Sequence, residues 1–244
     1  MLELKHICFT ADEDGSRKEI LKDISLTIDE RFVAITGPNG GGKSTLIKII
    51  AGVITPTSGQ ILLDGEDITH LTITERAHKG VSYAFQQPVR FKGITVYDLI
   101  QLASGRQLSI SEACQYLSEV GMCARDYVNR EVNASLSGGE LKRIEIATIL
   151  ARSTKLSLFD EPEAGIDLWS FSSLIKVFEN LYEKIQGNII IISHQERILN
   201  MADRVIVLTR GKVSADGRRE EVLPTLMNTG GPCAKLTENE GGNC

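Results

Sequence analysis

A glycine-rich loop followed by a lysine and a serine constrains the fold of this chain more than any other feature. Residues 37–44 read Gly-Pro-Asn-Gly-Gly-Gly-Lys-Ser and fit the pattern G-x-x-x-x-G-K-[ST]. The apolar run Arg31–Thr36 before the loop predicts a short strand, and Ser44–Ile50 after it predicts a buried helix. A glycine-rich loop between a strand and a helix is typical of proteins that bind nucleotide phosphates.

Each residue type in the loop has a chemical reason. Glycines let the backbone curl so that successive N–H groups face the β-phosphate at the helix N-terminus. Lys43 would bridge the β- and γ-phosphates, and Ser44 would offer its hydroxyl to Mg²⁺. The predicted nucleotide-binding residues of this segment are Gly37, Pro38, Asn39, Gly40, Gly41, Gly42, Lys43, Ser44 and Thr45.

A second apolar run ends in two carboxylates. Leu156–Phe159 predicts a buried strand, and Asp160 and Glu161 follow it directly. Asp160 would hold Mg²⁺ through water, and Glu161 would orient or deprotonate the attacking water. The alternative is a strand that ends in a solvated acidic turn, which the phosphate-binding loop upstream disfavours.

Further apolar runs predict the rest of a sheet. They are Val81–Phe85, Asn188–Ile192 and Arg204–Leu208, and helical patterns lie between them. Strands that alternate with helices form a mainly parallel sheet, so the predicted fold class is α/β.

The N-terminal segment has a different pattern. Met1–Phe9 and Ile24–Ile28 alternate between apolar and polar side chains, which predicts an antiparallel β edge. The charged segment Asp12–Glu19 between them is expected to be a turn-rich connection.

Domain boundaries follow from the helical pattern and from composition. Val96–Ala103 and Ser111–Val120 are candidate helices, and they predict a small helical subdomain over about residues 88–150. We expect residues 1–228 to form one domain. Residues 229–244 are rich in Gly, Asn and Glu and are expected to be a mobile tail.

Composition argues against two classes of function. The formal net charge is -5, from 27 basic and 32 acidic side chains, so nucleic acid is not expected as a partner. The longest apolar stretches, such as Ile189–Ile192, are far shorter than the ~20 residues that cross a bilayer. Residues 1–9 lack the basic and apolar regions of a signal peptide, so we expect a cytoplasmic protein.

Five cysteines are scattered without a C-x-x-C pair, and their odd number argues against a closed set of disulfides. We expect Cys8, Cys114 and Cys123 to be buried free thiols. Cys233 and Cys244 lie in the predicted tail, where metal binding stays an open alternative.

The segment Leu136-Ser137-Gly138-Gly139-Glu140 decides the family. It lies shortly before Asp160 and resembles the LSGGQ signature of the ATP-binding cassette (ABC) ATPases. Ser137 can cap the helix that begins near Glu140. The apolar stripe predicted for that helix consists of Leu141, Ile144, Ala147 and Leu150.

The resemblance implies an ABC-type P-loop core with a helical signature subdomain, and an ATPase that uses ATP with Mg²⁺. In the family, the signature of one copy meets the γ-phosphate of ATP held by a second copy. The resemblance therefore implies a head-to-tail dimer with ATP between its subunits. The residues that would bind the ATP of the second copy are Ser137, Gly138, Gly139 and Glu140.

Three more positions match family residues. Gln86 resembles the Q-loop glutamine that senses Mg²⁺ and the attacking water. Asp167 resembles the D-loop aspartate that reaches across the dimer, and His194 resembles the switch histidine that contacts the γ-phosphate. The resemblance implies catalytic roles for Glu161, His194 and Gln86, and metal-binding roles for Ser44, Gln86 and Asp160.

Outside the shared motifs the chain resembles the SufC family, the ATPases of SUF-type iron–sulfur cluster assembly. Ala11 suits that family, because it stands where transporters often carry an adenine-stacking aromatic residue. Two features depart from it: a short segment between Gln86 and Ser137, and Pro162, which is found in transporters. The similar residues are Glu75-Arg76-Ala77, Gly80, Ala84-Phe85-Gln86, Pro88-Val89, Gly93, Tyr127-Val128-Asn129, Glu140, Lys142-Arg143, Glu145, Ala164-Gly165-Ile166-Asp167, Arg197, Leu199-Asn200 and Gly211-Lys212-Val213.

The resemblance leaves two partners open. A SufC-like chain would attach in two copies to a SufB-like scaffold through the surface Gln87–Gly93, and ATP-driven closure would open the scaffold for cluster assembly. The alternative is the ATPase subunit of an ABC importer, whose separate membrane permease would dock in the same groove. The ATP chemistry is the same in both, so only the partner distinguishes them.

Overall fold

The computed structural model of the chain describes residues 1–13, 16–87, 89–133 and 135–228. The predicted tail, 229–244, lies outside the described residues together with Cys233 and Cys244. The strands are β1 (Leu2–Glu13), β2 (Ser16–Ile28), β3 (Phe32–Thr36), β4 (Ser58–Leu63), β5 (Glu66–Asp67), β6 (Val81–Ala84), β7 (Leu156–Asp160), β8 (Asn188–Ile192), β9 (Arg204–Thr209) and β10 (Lys212–Arg218). The helices are α1 (Lys43–Ala51), α2 (Ile73–His78), α3 (Val96–Ser104), α4 (Ile110–Glu119), α5 (Ala124–Tyr127), α6 (Gly138–Arg152), α7 (Leu168–Lys184), α8 (Glu196–Leu199) and α9 (Arg219–Asn228).

The larger sheet has six strands in the order β10-β9-β3-β8-β7-β6. Its strand pairs are parallel except for β10, which is antiparallel to β9. Every residue of β3 and β7 is buried, as expected for strands covered on both faces. The prediction of a mainly parallel α/β sheet is confirmed, and the strands predicted for it lie within one residue of their observed ends.

The smaller sheet is antiparallel, with the order β2-β1-β4-β5. The predicted antiparallel edge is confirmed, but the predicted connection over Asp12–Glu19 is wrong. Both strands continue to Glu13 and Ser16, with Asp12 opposite Arg17. This end of the hairpin is exposed, so charged side chains do not interrupt the ladder, and Arg17 Nε lies 3.7 Å from Asp12 Oδ1.

Alternate residues of β3 enter two separate cores. Val33 and Ile35 pack with α1 and the smaller sheet, whereas Phe32 and Ala34 pack with α3, α4, α6 and α7. The helix predicted after the glycine-rich loop is confirmed as α1, which lies between the two sheets.

The segment after β6 is helical, and α3 and α4 match the two predicted helices. Both helices pack against α6. The predicted apolar stripe of α6 is buried, but Ile146 and Ile149 are buried too, so α6 is covered on more than one face. The limits of a helical subdomain over 88–150 stay a prediction.

The cysteines are only partly as expected. Cys8, Cys114 and Cys123 are free thiols, which confirms that prediction. The first two are half-buried, while Cys123 is exposed because it precedes the short surface helix α5, so the predicted burial is wrong for Cys123. Among the described residues, no helix is long and apolar enough to cross a bilayer.

Candidate nucleotide and catalytic site

The glycine-rich loop lies tightly against the end of β9. A Cβ atom at Gly37 would stand 2.2 Å from the Leu208 carbonyl oxygen, and one at Gly41 would stand 2.7 Å from it. Neither position can accept a side chain without moving backbone. In the part of the chain that the structure describes, a Cβ at Gly40 would meet nothing within 4 Å, so this part of the loop faces open space. The loop thus forms a backbone-lined cradle with an open side.

Helix α1 begins at the loop and carries the predicted phosphate and metal residues. Lys43 is 5% exposed, and its Nζ donates to the carbonyl oxygens of Gly37 at 2.7 Å and Pro38 at 3.0 Å. Burial lowers the pKa of Lys43, while Glu161 and Asp160 favour its charged form. Ser44 and Thr45 follow on the first turn of α1, both half-buried.

The carboxyl end of β7 brings the first predicted carboxylate to the same place. Asp160 is 2% exposed, and its Oδ1 accepts from Ser44 Oγ at 3.0 Å. Its Oδ2 accepts from Tyr83 Oη at 3.2 Å. Burial and the neighbouring Asp160 raise the pKa of Tyr83, so the phenol stays a donor. Sequence reasoning missed Tyr83, which lies on β6 one strand away.

Glu161 has an unusual backbone. Its φ of 46° lies in the left-handed region, which residues other than glycine adopt at a cost of about 1–3 kcal/mol. Its N–H donates to the Ile192 carbonyl oxygen at 3.1 Å, which ties the end of β7 to the end of β8. Strain of this kind is concentrated at functional sites.

Two further predicted residues converge on the Glu161 carboxylate. Gln86 Nε2 donates to Glu161 Oε2 at 3.2 Å, and His194 Nε2 lies 3.6 Å from Glu161 Oε1. The three residues follow β6, β7 and β8, whose carboxyl ends meet at one edge of the parallel sheet. The structure therefore brings together the residues that sequence resemblance named as catalytic.

A third carboxylate lies beside this group and was not predicted. Glu163 Oε1 accepts from Ser193 Oγ at 2.5 Å and from the His194 N–H at 3.4 Å. Its Oε2 is buried and has no hydrogen-bond partner among the described residues. Burial raises the pKa of Glu163, and the nearby Glu161 adds to the effect. The only sequence signal was a second glutamate two residues after Glu161.

The signature residues lie at the start of α6. Ser137 Oγ accepts from the Glu140 N–H at 3.2 Å and Glu140 Oε2 accepts from the Ser137 N–H at 2.6 Å, a reciprocal cap that confirms the predicted capping by Ser137. Tyr127 Oη donates to Glu140 Oε1. Among the described residues, a Cβ at Gly138 would meet no atom within 4 Å beyond the neighbouring backbone of α6. Asp167 is exposed, just before α7.

Fold and site together define a P-loop ATPase with a signature helix. Residues 21–164 match the family model described as ABC transporter. The chain belongs to the ABC transporter ATPase family, and it is an ATPase. ATP-binding cassettes of this family bind ATP and ADP.

Relatives agree with this assignment. An uncharacterised ABC transporter ATP-binding protein of Methanocaldococcus jannaschii, MJ0035, is 38% identical over 227 residues, which cover 89% of this chain and 90% of the relative. The lipopolysaccharide export ATP-binding protein LptB of Haemophilus influenzae is 30% identical, with 84% of this chain and 87% of the relative covered. The solved dimer of the cassette MJ0796 has a TM-score of 0.79 at 25% identity and covers 90% of this chain and 99% of that chain.

Proposed function

We propose that two copies of this chain bind MgATP between them, with the phosphate loop of one copy facing the signature of the other. The exposed start of α6 supports this arrangement. Glycine is a poor helix former, and among the described residues no neighbouring atom lies close enough to a Cβ at Gly138 to require glycine there. Space kept open for a ligand or a second chain explains that residue. The solved MJ0796 relative is a dimer.

The roles that we propose for the site follow from its geometry. Lys43 and the backbone of the glycine-rich loop hold the β- and γ-phosphates. Glu161 orients or deprotonates the attacking water. Gln86 and His194 hold the Glu161 carboxylate in position relative to the γ-phosphate. Asp167 is proposed to reach the second copy.

The residues present fit a Mg²⁺ ion. Ser44 Oγ and Asp160 Oδ1 lie 3.0 Å apart, and hydroxyl and carboxylate oxygens are the donors that Mg²⁺ prefers. Ser44 and Asp160 would hold it, with Gln86 at the same edge of the sheet. Bound Mg²⁺ would neutralise charge on the phosphate oxygens. The other groups that would position the phosphates and the attacking water are side chains of the protein itself.

A surface groove beside Gln86 is the proposed partner site. It has a volume of ≈ 290 Å³, and its lining is mostly apolar. Phe85 is 38% exposed and Val89 is 47% exposed, so two large apolar side chains near the catalytic edge remain open to a partner. Other lining residues are Phe91, Leu99, Leu141 and Ile144. We propose that the surface Gln87–Gly93 and this groove receive the protein that the ATPase moves.

We propose a SufB-like scaffold as that partner and iron–sulfur cluster assembly in the cytoplasm as the process. Three of the residues that resemble SufC make contacts inside the protein, close to the site. Arg76 supports the end of α1, Tyr127 contacts Glu140 of the signature, and Glu145 contacts the backbone of Phe85. Free thiols at Cys8, Cys114 and Cys123 agree with a reducing compartment.

The second candidate is the ATPase subunit of an ABC importer or exporter with a separate membrane permease. Two relatives favour it: LptB of Haemophilus influenzae, and the spermidine/putrescine import ATP-binding protein PotA of Mesoplasma florum, which is 32% identical with 91% of this chain and 63% of the relative covered. Pro162 after the two carboxylates also agrees with a transporter.

Anaerobic affinity purification from the native host, with mass spectrometry of the copurifying chains, separates the two candidates. A SufB-like scaffold with bound iron supports the first, whereas a multi-span membrane protein supports the second and contradicts the first. Val89→Asp should lose the partner, because it puts a charge in the apolar groove. Leu102→Asp is the matched control: Leu102 is 69% exposed and lies outside the groove, so this variant should retain the partner.

A further inference from the structure

A charged pair on the signature helix holds the peptide groups of the residue before Gln86. Glu145 Oε1 accepts from the Phe85 N–H at 3.2 Å, and Lys142 Nζ donates to the Phe85 carbonyl oxygen. Lys142 Nζ also lies 3.3 Å from Glu145 Oε2. Both peptide groups of Phe85 are thus bound from one turn of α6.

Burial makes this pair unusual. The Lys142 side chain is 3% exposed and that of Glu145 is 18% exposed. Desolvation of two such charges is costly, and apolar residues of similar volume often stabilise a protein as well or better at such positions. Burial also raises the pKa of Glu145. General stability therefore does not explain the pair, whereas its geometry at Phe85 does.

Phe85 lies between the proposed partner groove and the catalytic edge. Its side chain lines the groove, as does Glu145. The next residue, Gln86, donates to the Glu161 carboxylate. The Phe85 ring also packs on the ring of Tyr83 at a centroid distance of 4.7 Å, and Tyr83 donates to Asp160. Any movement of the Phe85 backbone would be transmitted to the contacts of both carboxylates.

We propose that Lys142 and Glu145 are positioning residues: they fix Phe85 so that Gln86 reaches Glu161, and they couple the signature helix and the groove to the catalytic carboxylate. This inference rests on the roles proposed above for Gln86 and Glu161. Helix α6 would then have two roles. Its exposed start carries the signature, and its buried second turn positions Phe85.

The test is a double-mutant cycle of Lys142→Met with Gln86→Ala, read out as steady-state ATPase activity. Lys142→Met should lower kcat about tenfold and leave KM for MgATP within about twofold, since a 1 Å misplacement near a reacting group can cost ~10²-fold. Lys142→Arg should restore most of kcat, because a guanidinium can reach both acceptors. In the Gln86→Ala background Lys142→Met should have almost no further effect, because the pair acts through Gln86.

Controls separate positioning from folding. Lys184→Met breaks a half-buried ion pair away from the site, in which Lys184 Nζ lies 2.6 Å from Glu119 Oε1, and should leave kcat unchanged. If Lys142→Met strongly lowers the melting temperature, the whole pair is replaced by apolar side chains in the variant Lys142→Met/Glu145→Leu. The double-mutant cycle with Gln86→Ala is then repeated with that variant in place of Lys142→Met. Independent, additive effects on kcat would overturn the inference. An unchanged kcat in Gln86→Ala alone would instead contradict the proposed role of Gln86, and the inference with it.

Discussion

At the scale of single residues, Glu161 combines a catalytic position with an unfavourable backbone. The end of β7 must direct one carboxylate towards Ser44 and the next towards Gln86 and His194, and a φ of 46° at Glu161 accomplishes that change of direction. Fixing a non-glycine residue in the left-handed region costs about 1–3 kcal/mol. The surrounding strands supply the contacts that keep it there, including the bond from the Glu161 N–H to Ile192.

This strain predicts a difference between two substitutions that both remove the carboxylate. Glu161→Gly should be more stable than Glu161→Ala by about 1 kcal/mol, because only glycine adopts the left-handed region without steric cost. Both variants should lose ATPase activity. Urea unfolding of the two variants in the absence of nucleotide measures the difference. Equal midpoints would mean that the backbone of Glu161 is not strained in solution.

At the scale of elements, the P-loop helix α1 is stabilised from outside by a buried arginine. Arg76 is 1% exposed and donates to the carbonyl oxygens of Ile49 at 2.6 Å and Ile50 at 2.8 Å, at the end of α1. It also donates to those of Thr69 at 2.8 Å and Leu71 at 3.1 Å. The bonds to Ile49 and Ile50 reach carbonyl groups at the C-terminus of α1, where a helix leaves carbonyl groups without helical partners, and the Ile49 carbonyl oxygen also accepts from the Gly52 N–H. Burial lowers the pKa of Arg76 to about 10, so the guanidinium remains charged.

Arg76→Met should therefore destabilise the protein by about 3 kcal/mol, because it leaves several buried carbonyl groups unsatisfied. The free energy of unfolding from chemical denaturation measures this. Arg106→Met is the control: it removes an exposed ion pair with Glu112 and should change the free energy of unfolding far less than Arg76→Met does. Similar losses in the two variants would contradict the account of Arg76.

Besides α6, three helices begin with reciprocal caps, and these three caps make the fold sensitive to acid. The caps pair Thr72 with Glu75, Thr95 with Asp98 and Ser109 with Glu112. Hydrogen bonds from the capping residues lower the pKa of each carboxylate, that of Glu112 to about 2. A lowered pKa in the folded state stabilises the fold above the unfolded pKa, and this contribution is lost as the pH falls through the folded pKa.

The melting temperature should consequently fall as the pH decreases from about 5 towards 2, the range between the unfolded and folded pKa values. Glu112→Gln removes one titrating cap while keeping an acceptor for the Ser109 N–H, so its melting temperature should fall less steeply over the same range. Parallel curves for the variant and the wild type would show that the cap of α4 does not contribute.

Local patterns predicted most elements, and long-range contacts explain what was missed. Strands β3, β6, β7, β8 and β9 are short apolar runs buried on both faces, so the sequence alone indicated them. The exposed hairpin end of β1 and β2 has no apolar alternation, so its charged residues read as a turn. Strands β5 and β10 carry little apolar sequence and form by pairing with β4 and β9, and β4 is apolar only in its second half and pairs with the distant strand β1.

In the candidate site, too, residues in local patterns were predicted and residues placed by long-range contacts were not. Lys43, Asp160 and Glu161 were found because each lies in a local motif, whereas Gln86 and His194 were found only through the resemblance to ABC ATPases. Tyr83, Glu163 and the contacts of Lys142 with Phe85 were not found. Lys142 and Phe85 are 57 residues apart, and no local pattern indicates that α6 packs against the end of β6.

At the scale of the whole molecule, the hydrogen bonds described for the signature residues run within α6 and to Tyr127. The phosphate loop, by contrast, lies at the end of β3, on α1 and against β9. In the proposed arrangement, one copy supplies the loop and the carboxylates, and the other supplies the signature. The account therefore makes ATP part of the interface between two copies.

The measurement that tests this claim most directly is the mass of Glu161→Gln in MgATP by light scattering. The variant keeps the geometry of the site but lacks the carboxylate, so it should accumulate as an ATP-bound dimer with twice the mass of the chain, and it should be monomeric without nucleotide. Glu161→Gln/Gly138→Asp is the matched control: aspartate suits a helix N-terminus but repels a phosphate, so this variant should fold and stay monomeric in MgATP. A monomeric Glu161→Gln in MgATP, or equal dimerisation of the control, would contradict the model of ATP bound between two copies.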